Sequence, residues 1–315
     1  MRCITFFIRR ILNGVLKGCM NWTNKLVFMI KARLINRMNK VAIVACSNGQ
    51  EKEYESQNNE LVEILKSNGK DVVLSNCLYA KRGVFQGTPK ERADELMRMF
   101  EDPDVSEIYD ISGGDIANQL LPYIDFDSVA KSKAVFWGYS DLTTIINAIY
   151  MLTGKESVLY QVKNMVWGDA TEVQRNRFFN REELFHPRFS FYQGDSMEGV
   201  VVGGNIRCFL KLAGTKYFPD LQGKILFLES LGGLQAQMAA YLAWLQQLGA
   251  FEKVNGILLG NFREMEKAGC EPEIVELVKD YAGPGLPIAK TGEIGHKNDS
   301  KAIVIGKQIE MKNKF

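Results

Sequence analysis

Three polar side chains come at the ends of apolar runs that are typical of buried strands. Ser140 ends the run AVFWGYS, Glu229 is the acid in KILFLES, and His296 closes the strand-like run PIAKTGEIGH. A serine hydroxyl becomes a good nucleophile when a neighbouring base takes its proton, and histidine can be that base near neutral pH. A carboxylate then holds the imidazole in the required tautomer. The residue types and their chain order therefore predict a Ser–Glu–His relay for acyl transfer.

Ser140 by itself leaves two interpretations open. It stands between an apolar strand and the helical stretch DLTTIINAIYMLTG, where a sharp turn would lift the hydroxyl clear of a sheet. The N–H groups and the dipole at a helix N-terminus would favour negative charge that develops on a substrate oxygen. The second glycine of the G-x-S-x-G nucleophile motif is absent, because Leu142 takes its place. Serine before Asp-Leu-Thr is also typical of a helix N-cap.

The other two positions have competitors. The chain contains two histidines, and His186 stands before Pro187 in a charged and aromatic stretch, so His296 is the favoured base. A lone histidine is more commonly a surface loop residue than a catalytic one. Glu293 rivals Glu229 because it is near the histidine in sequence, but it lies within the same strand-like run. A strand-end acid paired with a lysine is the alternative role of Glu229.

The elements that must position these residues alternate between strands and helices from residue 41 onward. The runs VAIVACS, DVVLSN, EIYDIS and AVFWGYS predict strands, and helical stretches fall near residues 56–68 and 89–102. Such alternation predicts a parallel sheet covered by helices on both faces. Residues 155–198 lack clean periodicity and are predicted to form a linker and a long loop with a hairpin.

A second block of strands and helices follows that stretch. EGVVVGG, KILFLES and NGILLGN predict strands, with helices over about 205–213 and 233–248. The C-terminal runs 287–296 and 301–311 are predicted to close this block as a strand pair. Glu229 would emerge at the carboxyl end of its strand, where the sites of α/β proteins gather.

Composition narrows the class of protein. The 315 residues are 46% hydrophobic and 24% charged, as in a soluble globular protein. The six cysteines form no C-x-x-C pair and no cluster, which argues against a zinc site or a disulfide scaffold and favours a reducing, cytoplasmic compartment. We expect no metal and no cofactor. Beyond residue 40 the chain holds 30 basic and 37 acidic residues, so no nucleic-acid surface is expected.

Residues 1–40 are a basic N-terminal extension with nine Lys or Arg and no acid. Charges interrupt the apolar runs, so neither a membrane-spanning helix nor a standard signal peptide is predicted. One interpretation is a cationic amphipathic segment that rests on a membrane surface. The favoured interpretation is an extension upstream of the true start, because Met38 stands just before the first strand. Association with a membrane is therefore not expected.

Longer strings of the chain resemble the LD-carboxypeptidases and their relatives, the microcin-C immunity peptidases. The resemblance covers roughly residues 41–306 and rests on the strings VFWGYSDLTTI, ISGGDIANQLLPYID, EGVVVGGNIRCFLKLAGTKYFPDLQGKILFLES and TGEIGHKNDSKAIVIG. It implies Ser140 as the nucleophile, Glu229 as the orienting acid and His296 as the base. It also implies an oxyanion hole made by the backbone N–H groups of Gly114 and Asp141.

The same resemblance implies an α/β fold with an N-terminal Rossmann-like parallel-sheet domain and a C-terminal α/β domain. The active site would lie in the cleft between the two domains. The predicted segments are the basic extension, a nucleophile domain, a linker and loop region, and a C-terminal domain that carries the Glu and the His (1–40, 41–160, 161–198 and 199–315). Family members often form dimers, so a homodimer is expected.

The implied activity is hydrolysis of a small peptide substrate. Family members release a terminal D-amino acid from a cell-wall-derived peptide through an acyl-enzyme, and in the immunity branch they cleave a peptidyl-nucleotide antibiotic. In the second case Trp167 could stack on a base, although packing of this loop tryptophan against the core is the favoured interpretation. A non-catalytic binding protein of the same fold is a third hypothesis. The chain departs from the family pattern at Ser230, at the Lys-Asn-Asp that follows His296, and in the loop over 163–188. These departures leave the three relay residues in place but bear on which substrate is cleaved.

Overall fold

The computed structural model describes residues 39–313. Its strands, in chain order, are β1 (Lys40–Val44), β2 (Asp71–Leu74), β3 (Val105–Asp110), β4 (Val135–Gly138), β5 (Ser157–Leu159), β6 (Ser190–Gln193), β7 (Ser196–Asn205), β8 (Lys224–Ser230), β9 (Gly256–Phe262), β10 (Ile288–Lys290), β11 (Ile303–Ile305) and β12 (Gln308–Lys312). They form two six-stranded sheets.

Helices separate most of these strands. The α-helices are α1 (Glu55–Ser67), α2 (Pro89–Glu101), α3 (Phe126–Lys131), α4 (Thr143–Thr153), α5 (Thr171–Phe179), α6 (Arg181–Leu184), α7 (Ile206–Leu210), α8 (Gln235–Gln247), α9 (Ala250–Lys253), α10 (Arg263–Ala268) and α11 (Ile274–Ala282). Short 3-10 helices span Lys52–Tyr54, Ala117–Tyr123, Ser140–Leu142 and Val162–Met165.

The first sheet has the order β11-β5-β4-β3-β1-β2, in which β1 to β5 are parallel and β11 is antiparallel to β5. Apolar side chains of α2, α3 and α4 pack on one face, and those of α1 and α5 pack on the other. Burial on both faces explains why the central strands are continuous apolar runs in the sequence. The predicted Rossmann-like parallel sheet is confirmed.

The second sheet has the order β12-β7-β8-β9-β10-β6. Strands β7 to β10 are parallel, and the edge strands β12 and β6 are antiparallel to their neighbours. Helices α8 and α11 cover one face. On the other face, Val201, Phe227 and Leu258 belong to the same core as α2 and α4 of the first unit, so a continuous core joins the two sheets. The predicted two-domain α/β fold is thereby confirmed.

The prediction that residues 155–198 form a linker and a long loop with a hairpin is wrong in two respects. This stretch contains the helices α5 and α6, of which α5 buries only Gln174 and Phe178. Two buried residues give too weak a periodicity for a helix to be recognised. Strand β6 pairs with β10 and not with β7, although only Gly194 and Asp195 connect β6 to β7. The ends of the second sheet therefore curl towards each other.

The strand pair predicted from runs 287–296 and 301–311 is also wrong. Strand β10 lies in the second sheet, whereas β11 returns to the first sheet and pairs with β5. Periodicity shows which side chains are buried but not which strand is the neighbour, so the sequence did not show this crossing. The loop between β10 and β11 links the two sheets, and His296 lies on it. The segment 199–315, predicted as one domain, thus contributes β11 to the first sheet and β8, β9, β10, β12 and most of β7 to the second.

Three other predictions can be compared with the structure only over the described residues. The basic extension over 1–40 lies outside the described residues apart from its last two positions. In the described range, no helix is long and apolar enough to cross a membrane. Cys46, Cys77, Cys208 and Cys270 are free thiols.

Candidate active site

Ser140 lies at a strained turn between β4 and the helix that leads into α4. Among residues 39–313 it is the one non-glycine residue with a positive φ, which is 54°. Such a backbone costs about 1–3 kcal/mol and persists where surrounding structure enforces it. The helix N-cap position is held by Tyr139, with no side-chain capping bond, and the Ser140 Oγ lies 3.2 Å from His296 Nε2. The turn therefore favours the nucleophile interpretation of Ser140 over the N-cap one.

Glu229 and His296 complete a linear arrangement with the serine. Glu229 is fully buried near the end of β8, and its Oε2 lies 2.6 Å from His296 Nδ1. The carboxylate fixes the proton on Nδ1, which leaves Nε2 free to accept the Ser140 hydroxyl proton. The structure thus brings together the three residues that the sequence singled out, although they come from three distant segments of the chain.

Neighbouring groups hold the acid and the histidine in place. The Asn205 side-chain amide donates to Glu229 Oε1 at 3.1 Å, and the Arg263 guanidinium donates to the His296 carbonyl at 2.7 Å. The Tyr139 ring packs on the imidazole with centroids 4.5 Å apart. Gly295 has a φ of 148°, and a Cβ there would come within 2.5 Å of the Asn261 side chain. A glycine is therefore required beside the histidine.

The rival residues lie in other environments. Glu293 forms ion pairs with Arg188 at 3.0 Å and with Lys301 at 3.1 Å. His186 is exposed, and its Nδ1 lies 2.5 Å from the Glu182 carbonyl oxygen. Neither residue joins the arrangement at Ser140.

Two backbone N–H groups lie next to the serine or in the wall of its cavity, those of Asp141 and Gly114. Gly114 lines the same cavity as Ser140 and has a φ of 126°, and a Cβ there would overlap the Asn48 side chain. Within the part of the chain that the structure describes, neither the Gly114 N–H nor the Asp141 N–H donates a hydrogen bond. Both are suited to an oxyanion, the role that the family resemblance implies for them.

The Asp141 carboxylate ties the two units together beneath the serine. It is fully buried and accepts from Ser47 Oγ at 2.7 Å, from the Ala117 N–H at 2.8 Å and from the Lys211 ammonium at 2.6 Å. Lys211 follows α7 of the second unit, and Ala117 follows the Gly113–Gly114 turn. We call this group of contacts the Asp141–Lys211 brace. Sequence reasoning did not find it, because the partners lie 24 to 94 residues from Asp141 along the chain.

A second buried carboxylate supports the ends of β1 and β3. Asp110 accepts from the N–H groups of Cys46 and Ser112, each at 2.7 Å, and from Ser112 Oγ at 2.5 Å. Burial raises the pKa of Asp110 to about 6 despite these bonds. Ser112 Oγ in turn accepts from the Ser47 N–H at 2.9 Å. The turn that carries Gly114 is thus anchored from below.

A cavity of about 290 Å³ opens at the serine. Ser140, His296 and Gly114 form its reactive end, and Lys163 and Trp167 are among the residues of its wall. Trp167 is 37% exposed and packs edge-on against Tyr54 with ring centroids 4.7 Å apart. The predicted position of the site in the cleft fits this arrangement, since the serine comes from the first unit and the acid from the second. No group of three or more potential metal ligands occurs in residues 39–313.

A serine, a histidine and a carboxylate in line within an α/β fold define the hydrolases that act through a serine nucleophile. Two family models match the chain: the LD-carboxypeptidase N-terminal domain over residues 41–160 and the LD-carboxypeptidase C-terminal domain over residues 198–311. The chain therefore belongs to the LD-carboxypeptidase family and is a serine-type carboxypeptidase.

Curated relatives belong to two functional branches. The microcin C7 self-immunity protein MccF of Escherichia coli is 26% identical over 286 residues, which cover 79% of this chain and 83% of the relative. The probable murein peptide carboxypeptidase of Bacillus subtilis (strain 168) is 28% identical over 260 residues, with 78% and 81% covered. The chain is thus about equally similar to an immunity protein and to a murein peptide carboxypeptidase.

Solved structures share the fold. MccF in complex with glutamyl sulfamoyl guanosine has a TM-score of 0.78 at 20% identity and covers 88% of this chain and 96% of its own. The muramoyltetrapeptide carboxypeptidase from Oxalobacter formigenes has a TM-score of 0.75 at 24% identity, with 87% and 95% covered. At these identities the likeness concerns the fold alone.

Proposed function

We propose that this protein is a cytoplasmic LD-carboxypeptidase that removes a terminal D-amino acid from a cell-wall-derived peptide, through an acyl-enzyme on Ser140. The observation that carries the proposal is the line of Ser140, His296 and Glu229, with 3.2 Å and 2.6 Å between successive side chains. The murein peptide carboxypeptidase of Bacillus subtilis supports the choice of substrate.

The acylation half of the reaction follows from the arrangement of these groups. His296 Nε2 takes the hydroxyl proton as Ser140 Oγ attacks the carbonyl carbon of the scissile amide. The Gly114 and Asp141 N–H groups donate to the resulting oxyanion. His296 then gives the proton to the leaving nitrogen, the C–N bond breaks, and the D-amino acid departs. Glu229 stabilises the imidazolium throughout.

Deacylation uses the same groups with water in place of the serine. His296 Nε2 takes a proton from a water molecule, whose oxygen attacks the acyl carbon. The ester bond to Ser140 breaks, and the imidazolium returns the proton to the serine oxygen. The shortened peptide leaves with a new carboxylate, and the enzyme is restored.

The experiment that tests the proposal is a product assay on peptides that end in D-alanine. We expect release of D-alanine by the native protein and a loss of about 10³-fold or more in kcat for Ser140→Ala, because the relay acts as a unit. Ser190→Ala, at an exposed serine in β6, is the matched control and should keep full activity. Near-normal turnover by Ser140→Ala would exclude Ser140 as the nucleophile.

A second candidate substrate is a peptidyl-nucleotide of the microcin-C kind. The half-exposed Trp167 in the wall of the cavity favours it, because a base can stack on the free part of the indole. Hydrolysis of a D-Ala-terminated tetrapeptide and of an aminoacyl-adenylate mimic, measured side by side, separates the two substrates. We expect the tetrapeptide to be preferred by the native protein.

Covalent labelling tests the hypothesis of a non-catalytic binding protein of this fold. A serine-directed phosphonate should label the native chain. Retained peptide binding without any labelling would support a binding function instead.

A further inference from the structure

Lys163 is a half-buried cation in the wall of the catalytic cavity. It lies in the short 3-10 helix Val162–Met165, directly after β5, which pairs with the nucleophile strand β4. Its ammonium donates to Gln50 Oε1 at 2.6 Å. It also lies 5.2 Å from the ring centroid of Tyr54 and 4.8 Å from that of Trp167. These neutral contacts hold the ammonium in place at the edge of the cavity.

The described part of the chain, residues 39–313, supplies no counter-charge for this ammonium. Lys211 and Lys301, which are also largely buried, each pair with a carboxylate. Lys163 forms no ion pair with any Asp or Glu of residues 39–313, and burial lowers its pKa to about 8. A desolvated ammonium without an anion is costly, and the cavity is the side from which an anion can reach it. The positive charge of Lys163 is therefore uncompensated until a negatively charged group enters the cavity.

Lys297 is the other lysine in the wall of this cavity, and it differs from Lys163. Lys297 is exposed to solvent and follows His296 on the loop between the sheets. A hydrated, flexible ammonium gains little from an ion pair, whereas a partly desolvated and fixed one gains more. Lys163 is thus the better anion receptor of the two.

We propose that the Lys163 ammonium binds the terminal carboxylate of the substrate and thereby restricts the enzyme to the last residue of a peptide. This inference rests on the proposed carboxypeptidase function and assigns the group that recognises the chain end. The carboxylate lies one carbon from the scissile nitrogen, so anchoring it fixes the leaving residue relative to Ser140. No proton or bond is exchanged at Lys163, whose role is recognition.

A pair of substrates that differ only at the chain end tests this assignment. One is a tetrapeptide that ends in D-alanine, and the other is the same peptide ending in D-alaninamide. The native enzyme should prefer the free acid. Lys163→Met should lower kcat/KM for the acid by roughly 100-fold, because the partly desolvated ion pair is lost, and should change it little for the amide. Lys163→Arg should keep most of the preference, and Lys297→Met should keep all of it.

Two further measurements distinguish failure of the carboxylate-binding inference from failure of the proposed function. Labelling by a serine-directed phosphonate at a near-native rate in Lys163→Met shows that the relay is intact. Calorimetry in the Ser140→Ala background compares binding of the acid and the amide without any turnover. If the native enzyme hydrolyses neither peptide, the proposed function fails, but a preference for the acid that Lys163→Met abolishes still supports the carboxylate site.

Three results would overturn the inference. The first is an equal loss on acid and amide, which makes Lys163 a structural residue. The second is an unchanged preference for the acid in Lys163→Met. The third is a selective loss on a phosphate-linked peptidyl-nucleotide without any effect of the peptide's end group, which would assign the cation to a phosphate.

Discussion

At the scale of single residues, the proposed relay depends on a carboxylate that is fully buried and shared between two donors. Glu229 accepts from His296 through Oε2 and from Asn205 through Oε1. Glu229→Gln keeps the shape but removes the charge that stabilises the imidazolium. We expect kcat to fall roughly 10²- to 10⁴-fold with little change in KM. Steady-state kinetics on a D-Ala-terminated peptide check this, and an unchanged kcat would remove Glu229 from the relay.

The lowered pKa of Lys163 gives a prediction for pH dependence. The ammonium is charged below about pH 8 and loses its proton above it, so kcat/KM for an acid-terminated peptide should fall as the pH rises through about 8. Three other titratable groups lie near the ammonium: His296 and Lys297 line the same cavity, and the Tyr54 ring faces Lys163. The hydrogen bond to Glu53 raises the pKa of Tyr54, so the Tyr54 phenol stays neutral near pH 8.

The control for this profile is the amide-terminated peptide, which uses the same relay but has no carboxylate. Its profile should lack the fall that is due to Lys163. In Lys163→Arg the fall for the acid should move to a higher pH, since a guanidinium stays charged. Identical profiles for acid and amide would contradict the assignment.

Some residues of the candidate site could be predicted from the sequence, and others could not. Ser140, Glu229 and His296 could be predicted because each ends an apolar run, and the similarity of longer strings to a family added their roles. Lys163 and Lys211 could not, because each has an ordinary sequence context and acquires its environment only through contacts with distant segments. Burial of a charge is a property of the folded chain.

At the scale of elements, the Asp141–Lys211 brace connects the serine turn to the segment after α7. Lys211→Met would leave the Asp141 carboxylate buried without its counter-ion. We expect a loss of about 3–5 kcal/mol in the free energy of unfolding. We also expect a lower kcat under conditions where the variant is still folded, since the same carboxylate accepts from the Ala117 N–H and belongs to the residue whose own N–H is proposed for the oxyanion. Denaturant unfolding and kinetics measure the two effects.

Lys216→Met is the matched control for this variant, because Lys216 is an exposed lysine in the same segment. It should change neither quantity appreciably. If Lys211→Met were as stable and as active as the native enzyme, the brace would have no part in holding the site.

Elements also show why some predictions failed. The strands around the serine were recognised because continuous apolar runs identify buried parallel strands. The neighbours of β6 and β11 were not, because both pair with strands that are distant in sequence, and a run of a few apolar residues carries no information about its partner. Helices α5 and α6 were missed for the related reason that few of their side chains are buried.

At the scale of the whole molecule, β11 and the shared core make the two units interdependent. The C-terminal segment crosses from the second sheet to the first and back, and His296 lies on one of the connections. We therefore expect a single cooperative unfolding transition, with coincident far-UV circular dichroism and tryptophan fluorescence curves. Two separate transitions would show that the units fold independently. The homodimer stays a prediction, which sedimentation velocity tests.

The most direct test of the central claim is to identify the residue that becomes covalently modified. A phosphonate analogue of a peptide that ends in D-alanine is incubated with the protein, and the adduct is located by mass spectrometry of a digest. We predict one adduct, on Ser140, that is absent in Ser140→Ala and forms much more slowly in His296→Ala. An adduct on another residue, or hydrolysis of the peptide that continues in Ser140→Ala, would contradict the account.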